Sequence, residues 1–117
     1  MQTISEIMLI VDRKRRGIKL CDIRYVEACN KQIIIYTQDE KVSSYTTIEK
    51  LEKLLNLPSF LRCHRSYIVN MDYIEKAKRD FVMRGGGTAY ISHTNQWKVR
   101  NAYHNYVTNL TRDESLR

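Results

Sequence analysis

The chain has 117 residues, enough to bury about two-thirds of its unfolded surface and so to hold a core with no disulfide or metal staple. Hydrophobic content of 43% beside 28% charged residues excludes a disordered chain, and no apolar run approaches the roughly 18 residues of a membrane span. Twenty Lys and Arg against thirteen Asp and Glu give a net charge of +7, which points to a polyanionic partner, either nucleic acid or an anionic surface.

Cys21, Cys29 and Cys63 lack CxxC spacing, so neither a disulfide framework nor a zinc knuckle is expected, and a reducing cytoplasm is the expected compartment. The N-terminal charges follow the apolar stretch, the reverse of a secretory signal. A single proline and four glycines leave no linker, so residues 1–117 are expected to form one domain.

In chain order, residues 7–11 read as a strand, 12–17 as a polar turn and 18–20 as a resumed apolar pattern. Ile23, Tyr25 and Glu27 alternate with Arg24 and Val26 as a strand. Residues 28–32 form a polar break, and the β-branched stretch 33–37 is the next strand. Residues 38–41 are expected to form a hairpin loop, with 42–45 pairing back. Thr46 stands three residues before Glu49 as a capping box; Ile48, Leu51, Leu54 and Leu55 share a helical face, and Pro58 follows the stop. Further strands are expected at 60–62, 67–69, 73–77, 81–83 and 88–92, with Gly85, Gly86 and Gly87 as a turn. From about Asn95 to Leu110 a second helix presents Val99, Ala102, Tyr103, Tyr106, Val107 and Leu110 on one face. Strands outnumber helices, and the expected class is mostly β.

The positive charge is unevenly spread. Residues 1–20 carry five basic and two acidic side chains, 51–83 six and four, and 84–117 five and two, whereas 21–50 carry four and five. The run Arg13, Lys14, Arg15 and Arg16 reads as a phosphate-binding patch or as a solvated hairpin turn. As a patch it contributes salt-sensitive affinity and no sequence readout.

The segment Phe60-Leu61-Arg62-Cys63-His64-Arg65-Ser66-Tyr67-Ile68-Val69-Asn70 places two arginines and a histidine between an apolar entry and a β-type exit. Read from its residues it is a strand, a basic turn and a second strand. Arg and His donors on such a turn suit phosphate oxygens or guanine edges. This segment resembles the central signature of the LytTR family of bacterial DNA-binding domains, F-x-R-x-H-R-S-Y/F-x-V-N. Ile23-Arg24-Tyr25-Val26-Glu27 is similar to the family's I-x-Y-I/V-E strand, residues 46–55 to its T-L-x-x-L-E-x-x-L helix, and residues 87–93 to its glycine turn and V-S-R-like end. The resemblance covers residues 8–107.

It implies an elongated arrangement of about ten short, mainly antiparallel strands with one short central helix and a C-terminal helix. It also implies sequence-specific binding of double-stranded DNA for transcription regulation, by loops inserted into successive major grooves. By position, the first DNA-facing loop falls on Asn30, Lys31 and Gln32, the second on Arg65 and Ser66, and the third on His93, Thr94 and Asn95 with Lys98 nearby. Lysines suit phosphates as mobile point charges, arginine grips phosphate or guanine, and Gln32 and Asn95 carry the donor and acceptor that adenine needs. Many members have an arginine after the serine of the last strand. Here Ser92 is followed by His93, so the third contact is expected to be weaker, different in base preference or sensitive to pH.

Other readings of the same residues stay open. His64 and Asn70 contact DNA or hold the turn in shape. Cys63 between Arg62 and His64 is a redox-sensitive low-pKa thiol or a buried inert one. The eight tyrosines stack on single-stranded RNA bases or pack the core, where the periodic positions of Tyr25, Tyr67, Tyr73, Tyr103 and Tyr106 put most of them. His64, His93 and His104 have no ligand spacing and no nucleophile motif is present, so no enzyme, metal or cofactor is expected. A protein-interaction module that pairs with another regulator is the alternative function. LytTR domains are usually fused to a receiver domain, for which 117 residues leave no room. The chain is therefore expected to be a stand-alone regulator or an excised output domain. The expected partner is promoter DNA with repeated half-sites, bound by a homodimer or through a receiver domain elsewhere, with no membrane involved.

Overall fold

Alternating burial sets the first hairpin. In the computed structural model, which describes the backbone of residues 6–115 and the side chains of residues 6–110, strand β1 (Glu6–Val11) turns Ile7 and Leu9 inward and leaves Met8 and Ile10 exposed. It pairs antiparallel with β2 (Lys14–Lys19) in a register that matches Val11 with Lys14. Only Asp12 and Arg13 remain for the turn, both at positive φ (51° and 68°), as a two-residue hairpin demands. The polar turn expected over 12–17 is thus shorter, because hairpin pairing uses backbone groups and tolerates the outward-facing charges of Lys14 and Arg15.

The central sheet has the strand order β5-β4-β3-β7-β6, built from β3 (Ile23–Cys29), β4 (Gln32–Thr37), β5 (Lys41–Ser44), β6 (Phe60–His64) and β7 (Tyr67–Asn70). Pairing of Cys29 with Gln32 shrinks the break expected over 28–32 to Asn30 and Lys31, with Asn30 held at φ 58°. Helix α1 (Ile48–Leu54) begins one residue later than the capping box implies. Thr47, not Thr46, is the cap, its hydroxyl accepting from the Lys50 N–H at 3.2 Å. Burial of Ile48, Leu51 and Leu55 fixes this phase and leaves Leu54 half-exposed.

Beyond β7, the strands β8 (Ile74–Ala77), β9 (Phe81–Met83) and β10 (Thr88–Ala89) form a second antiparallel sheet, ordered β10-β9-β8. The last strand is shorter than expected because its continuation bonds elsewhere: Ile91 N–H donates to the Asp80 carboxylate (2.9 Å) and Ser92 N–H to the Cys63 carbonyl (2.8 Å). Helix α2 (Gln96–Ser115) follows. Val99 is buried and Tyr103 and Tyr106 pack partly against the body, but Val107 and Leu110 are exposed. The architecture is mostly β, with ten strands and two α-helices among the described residues.

Each face of the central sheet carries a core. On one, Val26, Ile33, Ile35 and Ile68 meet Ile7, Leu9 and Ile18 of the first hairpin and Ile48 and Leu51 of α1. On the other, Tyr25, Cys63, Tyr67 and Val69 meet Phe81, Met83, Ala89 and Val99. The β3 pair Tyr25 and Val26 shows why: adjacent residues of a strand point to opposite faces.

Candidate nucleic-acid interface

Antiparallel pairing puts the β3–β4 and β6–β7 hairpins at the same end of the central sheet. The strands between them are neighbours, Glu27 opposite Tyr67, and the Ala28 N–H donates to the Ser66 carbonyl at 2.8 Å. With strands about 4.8 Å apart, the two loop centres stand two spacings from each other, about 10 Å. Asn30, Lys31, Gln32, Arg65 and Ser66 line one groove, with Thr46, Thr47 and the start of α1 as its floor. A second groove lies across the same loop, lined by Arg65 and His64 on one side and Ser92, His93, Thr94 and Asn95 on the other. Arg65 lines both. The structure therefore brings all three expected loops into one row with Arg65 in the middle. Lys98, in the first turn of α2, is exposed but lines neither groove.

The middle loop is rigidly held. Arg62 Nε donates to the His64 carbonyl at 2.8 Å and its Nη2 to the Arg65 carbonyl, while Nη1 reaches Glu52 of α1 at 2.7 Å and Nη2 pairs with Glu49 at 3.3 Å. His64 Nδ1 accepts the Ser66 N–H (3.0 Å) and its ring meets Tyr67 edge-on. Asn70 is buried at the far end of β7, donating to the Ile23 carbonyl and accepting from the Asp72 N–H. Among the described residues the side chain of Arg65 has no hydrogen-bond or ion-pair partner, and it is exposed. Its donors face solvent.

The supporting chemistry lies just inside. Glu27 accepts hydrogen bonds from Tyr36 (2.9 Å) and Tyr67 (3.1 Å); burial and this carboxylate push the Tyr36 hydroxyl up to about 12 and raise that of Tyr67. Cys63 is fully buried, and burial drives its thiol up to about 12. Of the two readings of Cys63, this burial favours the buried thiol over the low-pKa one: the neighbouring Arg62 lowers the value less than desolvation raises it.

The Arg13–Arg16 run divides. Arg13 sits in the hairpin turn, where it lines a surface with Gln32 of the first loop. Lys14 and Arg15 are exposed on β2, and Arg16 forms an ion pair with Glu40. Sequence reasoning missed Thr46 and Thr47 as groove residues, since their only signal was that of a helix cap. The exposed Tyr45 beside Gln32 was missed as well, because a strand-end tyrosine reads as packing.

The family model described as LytTr DNA-binding domain matches residues 13–104. The chain belongs to this family. As a LytTr domain it binds DNA. Among curated relatives, it is 33% identical over 72 residues to the transcriptional regulatory protein NatR of Bacillus subtilis, covering 58% of this chain and 31% of NatR. It is 27% identical over 108 residues to the B. subtilis sensory transduction protein LytT, covering 87% of this chain and 42% of LytT. The LytTr domain thus spans less than half the length of these relatives. In fold it matches the LytTr DNA-binding domain of a putative methyl-accepting/DNA response regulator from Bacillus cereus, with a TM-score of 0.74, 24% identity and coverage of 86% of this chain and 97% of that one.

Proposed function

We propose that this LytTr domain recognises specific double-stranded DNA sequences in transcription regulation, inserting its row of loops into the major groove. The observation that carries this reading is Arg65: an exposed guanidinium, unpartnered among the described residues, on a loop locked by Arg62 and His64 and flanked by polar loops on both sides. A preorganised arginine loses little entropy on binding and offers a bidentate fork to guanine or phosphate. Asn30, Lys31 and Gln32 enter on one side of it, Ser66 beside it, and His93, Thr94 and Asn95 on the other, while Lys98, Arg13, Lys14 and Arg15 hold phosphates. Arg16, already paired with Glu40, contributes least of that run.

As a stand-alone regulator or as an output module it acts in the cytoplasm on repeated half-sites in promoter DNA; the regulatory role agrees with the names of its relatives. Selection of duplexes from a random DNA library, with single-stranded RNA as competitor, tests the reading. An enriched duplex motif is the expected result. No motif returns the function to protein pairing, and preference for the RNA returns it to base stacking on tyrosines.

A further inference from the structure

The row of loops does not end at Asn30. Tyr45, at the end of the edge strand β5, is 83% exposed, and among the described residues its ring and hydroxyl have no partner. It lines a shallow surface with Arg13, Asp12, Ser43 and Gln32, and Gln32 is itself part of the first loop. This surface is continuous with the proposed DNA face. Arg13 and Asp12 are the charged residues that line it, and the exposed Lys14 and Arg15 follow directly on β2, so the hairpin that borders the surface carries a net positive charge.

From this, we infer that Tyr45 and Arg13 form a fourth DNA contact, which grips the backbone on the flank beyond the first loop. The inference rests on the proposed function above. Tyrosine hydroxyls and arginines are both ordinary phosphate partners, and the exposed ring offers an apolar face to a deoxyribose. Because Asp12 and Arg13 are both held at positive φ, the turn presents Arg13 from a tight backbone instead of a mobile loop. Tyr45 is one and a half strand spacings from the centre of the β3–β4 hairpin, about 7 Å. At 3.4 Å of axis per phosphate on each strand, that is about two base pairs further along the duplex. The contact lengthens the footprint without adding base readout.

The test uses the full chain and the duplex enriched by selection, first with long flanks and then trimmed flush from each end in turn. Tyr45→Ala is expected to weaken binding to the long duplex about fivefold, the scale of one net hydrogen bond, with Tyr45→Phe in between and no change in thermal unfolding. Trimming one end should bring the ratio of wild-type to Tyr45→Ala affinity to one; trimming the other should leave it intact. Arg13→Ala should lower the salt slope by about one and Tyr45→Ala should not, since the phenol is neutral. Equal binding of Tyr45→Ala and wild type to the long duplex, with Arg65→Ala weakened, overturns the fourth contact and leaves the loop reading standing. A Tyr45→Ala defect that survives trimming of either end overturns it too. If Arg65→Ala also binds like wild type, the loop reading fails and this inference goes with it.

Discussion

Arg62 on β6 places one guanidinium nitrogen 2.7 Å from the Glu52 carboxylate of α1, and the rest of that group holds the carbonyls of His64 and Arg65. Helix α1 is in this way coupled to the shape of the central loop. Lysine has no fork with which to serve two carbonyls and two carboxylates together. Arg62→Lys is expected to cost about 1–3 kcal/mol of stability, seen as a lower urea midpoint at unchanged m. It should also weaken DNA binding through misplacement of Arg65. Wild-type affinity in that variant would show that the loop needs no such brace.

The Arg65 side chain has no hydrogen-bond or ion-pair partner among the described residues, so its truncation should separate binding from stability. Arg65→Ala is predicted to keep the wild-type unfolding temperature while losing about 1–3 kcal/mol on the enriched duplex. A loss under about 0.5 kcal/mol would exclude Arg65 from the readout. Lys98→Ala, by contrast, should weaken all sequences alike and reduce the salt slope by about one.

His93 stands where many family members carry an arginine. His93→Arg is predicted to restore a two-pronged donor, tightening binding to guanine at one position of the site by about 1–3 kcal/mol. Repeating the selection with the variant checks this. An unchanged motif together with unchanged affinity would mean that the third loop does not read bases.

The glycine turn is set by close approach. Gly87 lies at φ +94°, and a Cβ there would run into the Tyr25 hydroxyl and ring, whereas one at Gly86 (φ +107°) would meet nothing within 4 Å. Both alanine substitutions store backbone strain of about 1–3 kcal/mol, but Gly87→Ala adds the collision and should be the less stable of the two. Calorimetry on the pair gives the difference, at about 4–8 °C per kcal/mol for a domain near this size. Equal melting temperatures would argue that Tyr25 moves aside freely.

Cys63 and Tyr36 are both raised to about 12, from 9.0 and 10.0 respectively, chiefly by burial. Each holds its proton more tightly folded than unfolded. Their contribution to stability is therefore complete below about pH 9 and is lost as the pH rises through 9 towards 12. Urea midpoints should fall steadily above about pH 9. Near neutral pH a thiol reagent should titrate the exposed Cys21 and Cys29 in the native protein and reach Cys63 only on unfolding. Fast native reaction at Cys63 would contradict its burial.

Much of this was legible from residue order alone. Strand positions followed from period-two patterning, and the two helices from three- and four-residue steps, because both signals reflect local geometry. Errors gathered at edges. The turn at Asp12 and Arg13 and that at Asn30 and Lys31 were drawn too long, since charged residues read as loop even where a partner strand claims their backbone. Thr46 and Thr47 are equally good caps by composition; the buried seat of Ile48 chose between them.

For the site, the sequence by itself determined the family, through the unbroken run from Phe60 to Asn70, and with it which residues face the nucleic acid in the proposed mode. Neighbouring residues in that run carry their chemistry in their identities, which no fold has to reveal. Tertiary structure alone decided what each of them does. Arg62 and Arg65 are the same residue type three positions apart, yet one is consumed by four internal contacts and the other is left facing solvent. It decided likewise that Cys63 is buried and that Tyr45 lies exposed on one surface with Gln32. The reason is physical: availability depends on burial and on partners contributed from distant parts of the chain. Glu52, Tyr90 and Gln32 cannot be paired with Arg62, Cys63 or Tyr45 until strands and helix have packed.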